Sequence, residues 1–323
     1  MTYRILATAR AFCAGDGPHL RLLEERGCEV DPQAGKAPLD AESLSAIIAG
    51  YDGAILGLDI CDARVLSKAA RLRVISRYGV GVDTVDVEAA TRHGIPVTIT
   101  RGANSTTVAE LALGLILALV RQLPQVSQDA RRGSWRRELG IELAGRTLGI
   151  IGCGAIGREV ASRARAFDMH ILAYDPYLRA IPEGVEVSEL EILLARADIV
   201  TLHAPLTPET TNLISEERLA QMKSGAYLVN TARGGLVDEQ ALHQALVSGR
   251  LAGAAMDAFH REPPEGNPLL ELDNFLATPH IGSSTHEAIA RMSLLAARNL
   301  VSVLTGEACP NVINPDYRLH QER

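Results

Sequence analysis

The chain has 323 residues, of which 47% are hydrophobic and 22% charged, and a formal net charge of −7. Such a length holds two domains, and the apolar content excludes an intrinsically disordered protein. An acidic balance argues against nucleic acid as a partner, because phosphate neutralisation needs a basic surface.

In chain order, the first hundred residues alternate short aliphatic runs with helical patterns, the signature of βαβ units. Strands are predicted at Arg4–Ala7, Ala54–Leu58, Arg73–Ser76 and near Val97. Helices are predicted at His19–Arg26, after an Asp40 N-cap, and at Val87–His93, where Gly94 and Pro96 stop the last. Only five residues separate Arg4 from Arg10, too few for the apolar core of a signal peptide. Gly102 to Ser105 caps an apolar helix over Thr106–Val120, which should be buried between layers. Its purest apolar run, Leu111–Val120, is ten residues, about half a membrane span, so no membrane is expected as a partner. An arginine-rich stretch around Trp135 follows. A second βαβ series then places strands at Thr147–Ile151, Ile171–Tyr174, Ile199–Leu202, Tyr227–Asn230, Ala252–Met256 and Phe275–Ala277. A helix runs from about Ser284 to Leu304, and the tail Asn311–Asn314 is expected to return to the first domain. The organisation expected is therefore residues 1–100 plus 286–323 as one discontinuous domain and 101–285 as the other. The cysteines Cys13, Cys28, Cys61, Cys153 and Cys309 form no CxxC pair. They read as reduced thiols of a cytoplasmic protein, with no metal-ligand spacing.

Gly152-Cys153-Gly154-Ala155-Ile156-Gly157 matches GxGxxG between a strand and a helix predicted over Ile156–Phe167. The first glycine allows the turn, the second admits a pyrophosphate, and the third lets helix and strand pack closely. Asp175, 18 residues after Gly157, ends the next strand, where a carboxylate accepts ribose hydroxyls. Three polar clusters follow later strands: Thr231 to Gly235, Asp257 to Pro263, and Thr278 to Gly282. They carry Arg233, Glu262 and His280 to the strand ends where doubly wound folds bind ligands. Taken singly, these are a solvated charge, a loop carboxylate and a strand-end cap. Together they supply a cation for a carboxylate, a base for a hydroxyl proton, and a partner that fixes the imidazole tautomer.

These motifs resemble the D-isomer-specific 2-hydroxyacid dehydrogenase family. The resemblance runs from about Tyr51 to Asn314 and is carried by Arg77 to Asp83, Asn104 to Glu110, Gly152 to Gly157, His203 to Thr207, Thr231 to Gly235, Met256-Asp257, Glu262-Pro263 and Pro279 to Gly282. Within the family it is most like the catalytic core of the D-3-phosphoglycerate dehydrogenases. The resemblance implies an α/β protein of two doubly wound parallel-sheet domains, a flavodoxin-like substrate domain and a Rossmann NAD domain, with a cleft between them. It implies reversible hydride transfer between NAD(H) and a small 2-hydroxy or 2-keto acid, with Arg233, Glu262 and His280 catalytic. Gly152, Gly154, Ala155, Ile156, Gly157, Asp175, His203, Ala204, Pro205, Thr231, Ala232, Asp257, Gly282 and Ser283 would line the cofactor, Asp257 on the nicotinamide carboxamide. Arg77, Tyr78, Gly79, Val80 and Gly81 would bind the substrate, with Asn104 at the hinge.

The resemblance also implies a homodimer through the cofactor domains, built on the apolar helix and the arm around Trp135. The 43 residues after His280 leave no room for a regulatory domain, so no inhibition by serine is expected. A phosphorylated substrate would need cations such as Arg77, Arg136 or Arg137, whereas Asp59 in the loop Leu56 to Asp59 would repel it. Two other readings stand beside this one: a non-catalytic NAD-sensing corepressor, and a dehydrogenase of an inorganic anion such as phosphite, for which Leu56 to Asp59 offer no extra cation.

Overall fold

The computed structural model describes residues 2–33, 35, 38–135 and 137–320. Two compact units divide the chain, one formed up to Asn104 and again from Ser284, the other from Ser105 to Ser283.

The first unit holds a five-stranded parallel sheet of β1 (Tyr3–Ala7), β2 (Cys28–Pro32), β3 (Gly53–Leu56), β4 (Val74–Arg77) and β5 (Val97–Ile99) in the order β2-β1-β3-β4-β5. That is the flavodoxin-like order, with its switch point between β1 and β3. Strands β3 and β4 are buried along their whole length, as parallel strands covered on both faces must be. One face packs on the helices Ala41–Ile47, Ala63–Lys68 and Val87–Arg92 through Leu44, Val65, Leu66 and Ala90. Asp40 caps the first of these by accepting from Ser43 N at 2.8 Å. The other face packs on Pro18–Glu25 and the 19-residue helix His286–Leu304 through Phe12, Leu23, Ala296 and Leu300.

The second unit holds a seven-stranded parallel sheet, ordered β12-β11-β10-β9-β6-β7-β8. Its strands are β6 (Thr147–Ile151), β7 (His170–Tyr174), β8 (Val185–Val187), β9 (Ile199–Leu202), β10 (Ala226–Asn230), β11 (Leu251–Met256) and β12 (Phe275–Ala277). The apolar helix, Ser105–Val120, packs on β10, β11 and the helix Ala155–Arg165. Ala109, Ala112 and Ile116 are completely buried there, so much of its apolar surface serves the unit's own core. Trp135 and Leu139 beyond it are 80% and 92% exposed.

Two strands escape the sequence pattern. Both β2 and β8 lie at sheet edges and are only partly buried, so neither carries an aliphatic run. The helix Leu123–Arg131 escapes it as well: it is amphipathic, has no buried residue, and carries a proline in its first turn. Arg136 lies outside the described residues. No single helix among the described residues is long and apolar enough to cross a membrane.

The tail closes the first sheet. Ile313 N donates to Val97 O at 2.9 Å and Ile99 N to Asn311 O at 3.1 Å. Asn314, only 6% exposed, accepts from Val97 N at 2.7 Å and donates to Ile95 O and Thr91 Oγ1, both at 3.0 Å. Asn314→Ala strands a buried amide and a buried carbonyl, at about 1–3 kcal/mol each. The expected outcome is a thermal midpoint lowered by about 4 °C or more, read by circular dichroism; an unchanged midpoint refutes the tail's contribution.

Candidate active site

Strand β6 runs into Gly152 at φ +91°. A Cβ there would lie 2.6 Å from Ala204 N, and one on Gly157 would lie 2.2 Å from Gly152 O, so both positions exclude a side chain. Gly154 is different. Nothing lies within 4 Å of its missing Cβ, which leaves an open cradle at the N-terminus of the helix Ala155–Arg165. No side chain caps this helix, so its first amides stay available to a pyrophosphate. Asp175 accepts from Cys153 N and Tyr177 N, each at 2.9 Å. A carboxylate offers about four lone-pair sites, so hydroxyl groups still find acceptors there. His203 Nε2 lies 3.0 Å from Thr201 Oγ1, while its buried Nδ1 has no hydrogen-bond partner in the protein. Burial pushes its pKa down to about 3, so the ring is neutral. Thr231 Oγ1 is also buried without a partner, after β10. Open cradle, uncapped amides and two orphaned polar atoms together fit a dinucleotide.

The three polar clusters lie beyond β10, β11 and β12. His280 sits at φ +52°, an unusual conformation for a residue with a side chain, and strain of this kind gathers at functional sites. Its Nδ1 lies 3.0 and 2.9 Å from the two oxygens of Glu262. Burial works to raise the Glu262 pKa. The hydrogen bond and charge of His280, the amide of Phe259 and the charge of Arg233 outweigh it and hold the carboxyl below its usual range. An ionised Glu262 only accepts, so Nδ1 carries a hydrogen and Nε2 is left to exchange a proton. The two side chains remain 30% and 31% exposed, which leaves the pair reachable by a ligand. Arg233 reaches this neighbourhood because Gly234 allows it: a Cβ there would lie 1.9 Å from the carbonyl carbon of Phe259.

A family model for the NAD-binding domain of D-isomer specific 2-hydroxyacid dehydrogenases matches residues 113–282. D-3-phosphoglycerate dehydrogenase of Methanocaldococcus jannaschii is 47% identical over 302 residues, covering 91% of this chain and 57% of that protein. Glyoxylate reductase of Thermofilum pendens is 44% identical over 312 residues, covering 93% and 92%. The chain belongs to the D-isomer specific 2-hydroxyacid dehydrogenase family. Among solved structures, the TT0316 protein of Thermus thermophilus superposes with a TM-score of 0.88 at 43% identity, covering 96% of this chain and 99% of that one. The chain spans little more than half the length of the phosphoglycerate dehydrogenases it matches, such as those of M. jannaschii and Archaeoglobus fulgidus. As in the family, the second unit is an NAD-binding domain and NAD is the cofactor.

Several residues expected to touch a ligand also make contacts within the protein. Asp257 is 1% exposed and already accepts from Thr278 Oγ1 at 2.6 Å and from Ile281 N and Gly282 N at 2.8 Å. Its visible task is to hold the His280 loop. In the first unit, Arg77 is the last residue of β4. It is 4% exposed, and its Nη1 donates to Tyr78 O at 2.5 Å and Leu56 O at 3.4 Å, so it holds the loop from beneath. The Tyr78 hydroxyl lies 3.3 Å from both Ile289 O and Ser293 Oγ. Gly79 has φ +142° and lies over the Arg77 guanidinium, where a Cβ would sit 3.2 Å from Nη1. Val80 is 37% exposed, and its amide and that of Gly81 make no hydrogen bond among the described residues. Asn104 closes the unit at 8% exposure with Oδ1 unpartnered.

Asp59 corrects a further expectation. It is 2% exposed, and its carboxylate accepts from Thr8 Oγ1, from Gly57 N at 2.8 Å and from Leu39 N at 2.9 Å. Rather than repelling a ligand at the surface, it staples the loops at the switch point. Sequence reasoning also missed Asn230, completely buried at the end of β10. Its only signal was its place immediately before the Thr231-Ala232-Arg233 cluster.

Two outcomes follow from this geometry. Because the Glu262 pKa is lowered, the stability from its pair is complete above the ordinary glutamate value of about 4.3 and is lost as pH falls through the lower folded value. The gap in thermal midpoint between wild type and Glu262→Gln should therefore hold steady at neutral pH and close in acid; a gap that persists to about pH 3 refutes the pairing. Asp175 follows β7, where doubly wound folds place a carboxylate on the ribose, and like charges ~4 Å apart at an effective dielectric of ~20 repel by a few kcal/mol. kcat/KM should favour NADH over NADPH at least about tenfold, and Asp175→Asn should narrow the ratio. Equal values in the wild type would contradict this.

Proposed function

We propose that this chain is an NAD-dependent D-2-hydroxyacid dehydrogenase, interconverting a small 2-hydroxy acid and its 2-keto acid. The His280–Glu262 pair, under the charge of Arg233, carries the reading. NAD supplies the hydride acceptor, and NADH the donor in reverse. Arg233 binds the substrate carboxylate and carbonyl oxygen with a guanidinium fork suited to both. In reduction, His280 gives the proton on Nε2 to the oxygen that becomes the hydroxyl; in oxidation Nε2 removes it. Glu262 offsets the positive charge that the imidazole carries in one of the two states.

The amides of Val80 and Gly81 are the second carboxylate contact we propose. Thr231, Ala232, Gly282 and Ser283 border the nicotinamide ribose, Ala155 and Ile156 the pyrophosphate, and His203, Ala204 and Pro205 the adenosine. We propose a homodimer through the NAD-binding unit, supported by the exposed Trp135 and Leu139. A cytoplasmic location is supported by five free thiols.

The substrate tail is read from the first unit's loops. Asp59 is turned inward, and Arg77 Nη1 donates to two backbone carbonyls. Leu58 and Val80 present apolar side chains there, 40% and 37% exposed, and they favour an unphosphorylated acid. A panel of glyoxylate, pyruvate, hydroxypyruvate and phosphohydroxypyruvate with NADH, read by loss of nicotinamide absorbance, tests both points. At least one acid should turn over, and His280→Ala should lower its kcat by about 10²–10⁴-fold. No turnover of any acid, or full activity without His280, refutes the dehydrogenase reading. A hundredfold preference for the phosphorylated acid refutes only the tail.

A further inference from the structure

We propose that Asn230 is a positioning residue that sets the direction of the Arg233 guanidinium; this rests on the dehydrogenase reading above. Asn230 is the last residue of β10 and is completely buried. Both ends of its side-chain amide are used within the next three residues. Oδ1 accepts from Ala232 N at 3.0 Å, and Nδ2 donates to Arg233 O at 2.7 Å. Its main-chain carbonyl accepts from Asp257 N at 2.9 Å. One residue thus ties the Arg233 turn to itself and to the start of the segment that leads to Glu262.

The two side-chain bonds close the turn on both sides. Arg233 is extended, at φ −146° and ψ 140°, and its Nη1 folds back to donate to Ala232 O at 2.8 Å. The guanidinium is therefore referred to the Ala232–Arg233 peptide, which lies between the two peptides that the Asn230 side chain holds. Beyond it, Gly234 lies against the Phe259–His260 backbone with no room for a Cβ, so the turn cannot relax in that direction. A long, flexible arginine gains its aim from these restraints, and a misplacement of about 1 Å costs about a hundredfold in rate.

Asp and Ser separate this role from simple space filling. Asn230→Asp has the same shape and still accepts from Ala232 N, but it sets an acceptor against the Arg233 carbonyl. Asn230→Ser retains a local acceptor and cannot reach that carbonyl. Each variant is placed in wild-type and Arg233→Ala backgrounds, and kcat and KM are measured for the best 2-keto acid of the panel. In the wild-type background kcat/KM should fall about 10–100-fold, with KM raised as well as kcat lowered. In the Arg233→Ala background the same change should cost less than about twofold, because residues acting as one unit are not additive. Two losses that multiply would overturn the proposal, as would full activity in both variants. If Asn230→Asp does not fold, Asn230→Ser carries the same cycle. A wild type inactive on every acid fails the dehydrogenase reading instead, and the panel identifies that outcome first.

Discussion

The buried carboxylate of Asp257 organises the catalytic end of the NAD-binding unit. Burial raises its pKa, while three donors from Thr278, Ile281 and Gly282 work against that rise. A carboxylate so enclosed is tolerable only when its oxygens are satisfied. The loop after β12 supplies the donors, and in doing so adopts a course that places His280 at positive φ. Electrostatic necessity at one residue thereby fixes the conformation of another. On the neighbouring strand, Asn230 takes the main-chain amide of Asp257, which carries the restraint to the Arg233 turn.

Close backbone approach is the second theme. Gly152, Gly157 and Gly234 lie where a Cβ would come within 2.6 Å of main-chain atoms. Gly154 lies where a Cβ would touch nothing. The first three serve packing and the fourth leaves room for a ligand, a distinction that the letters G-C-G-A-I-G do not contain. The first unit repeats the use of buried charge in another form: the Asp59 carboxylate accepts from the amides of Gly57 and Leu39, and Arg77 Nη1 donates to the carbonyls of Leu56 and Tyr78.

Most of the architecture was legible because buried parallel strands write themselves as aliphatic runs. All six strands expected in the second unit appear, with ends that differ by a residue at most, because Gly, Asp and Asn mark the turns. The edge strands β2 and β8 were not legible, since one side of each lacks a neighbour and demands fewer apolar residues. For the site, the Glu262–His280 contact was legible through a chemical requirement that links two distant segments. The inward turn of Asp59, Arg77 and Tyr78 was not, because a polar residue in a glycine-rich loop reads the same whether it faces a ligand or the protein. Hydrogen-bond partners far along the chain decide that orientation, such as Leu39 for Asp59 and Ile289 for Tyr78.

The long helix His286–Leu304 belongs to the first unit, although the whole of the second unit precedes it in the chain. Ala296, Ala297 and Leu300 complete the apolar face that Ile5, Phe12 and Leu23 begin, and Ser76 Oγ donates to Ala296 O at 2.9 Å. During synthesis, at ~5–20 residues per second, the early strands wait for this helix while the entire NAD-binding unit emerges. All seven strands of the inserted unit have emerged before this helix does. Until the helix follows, the amino-terminal sheet lacks part of the cover of one apolar face.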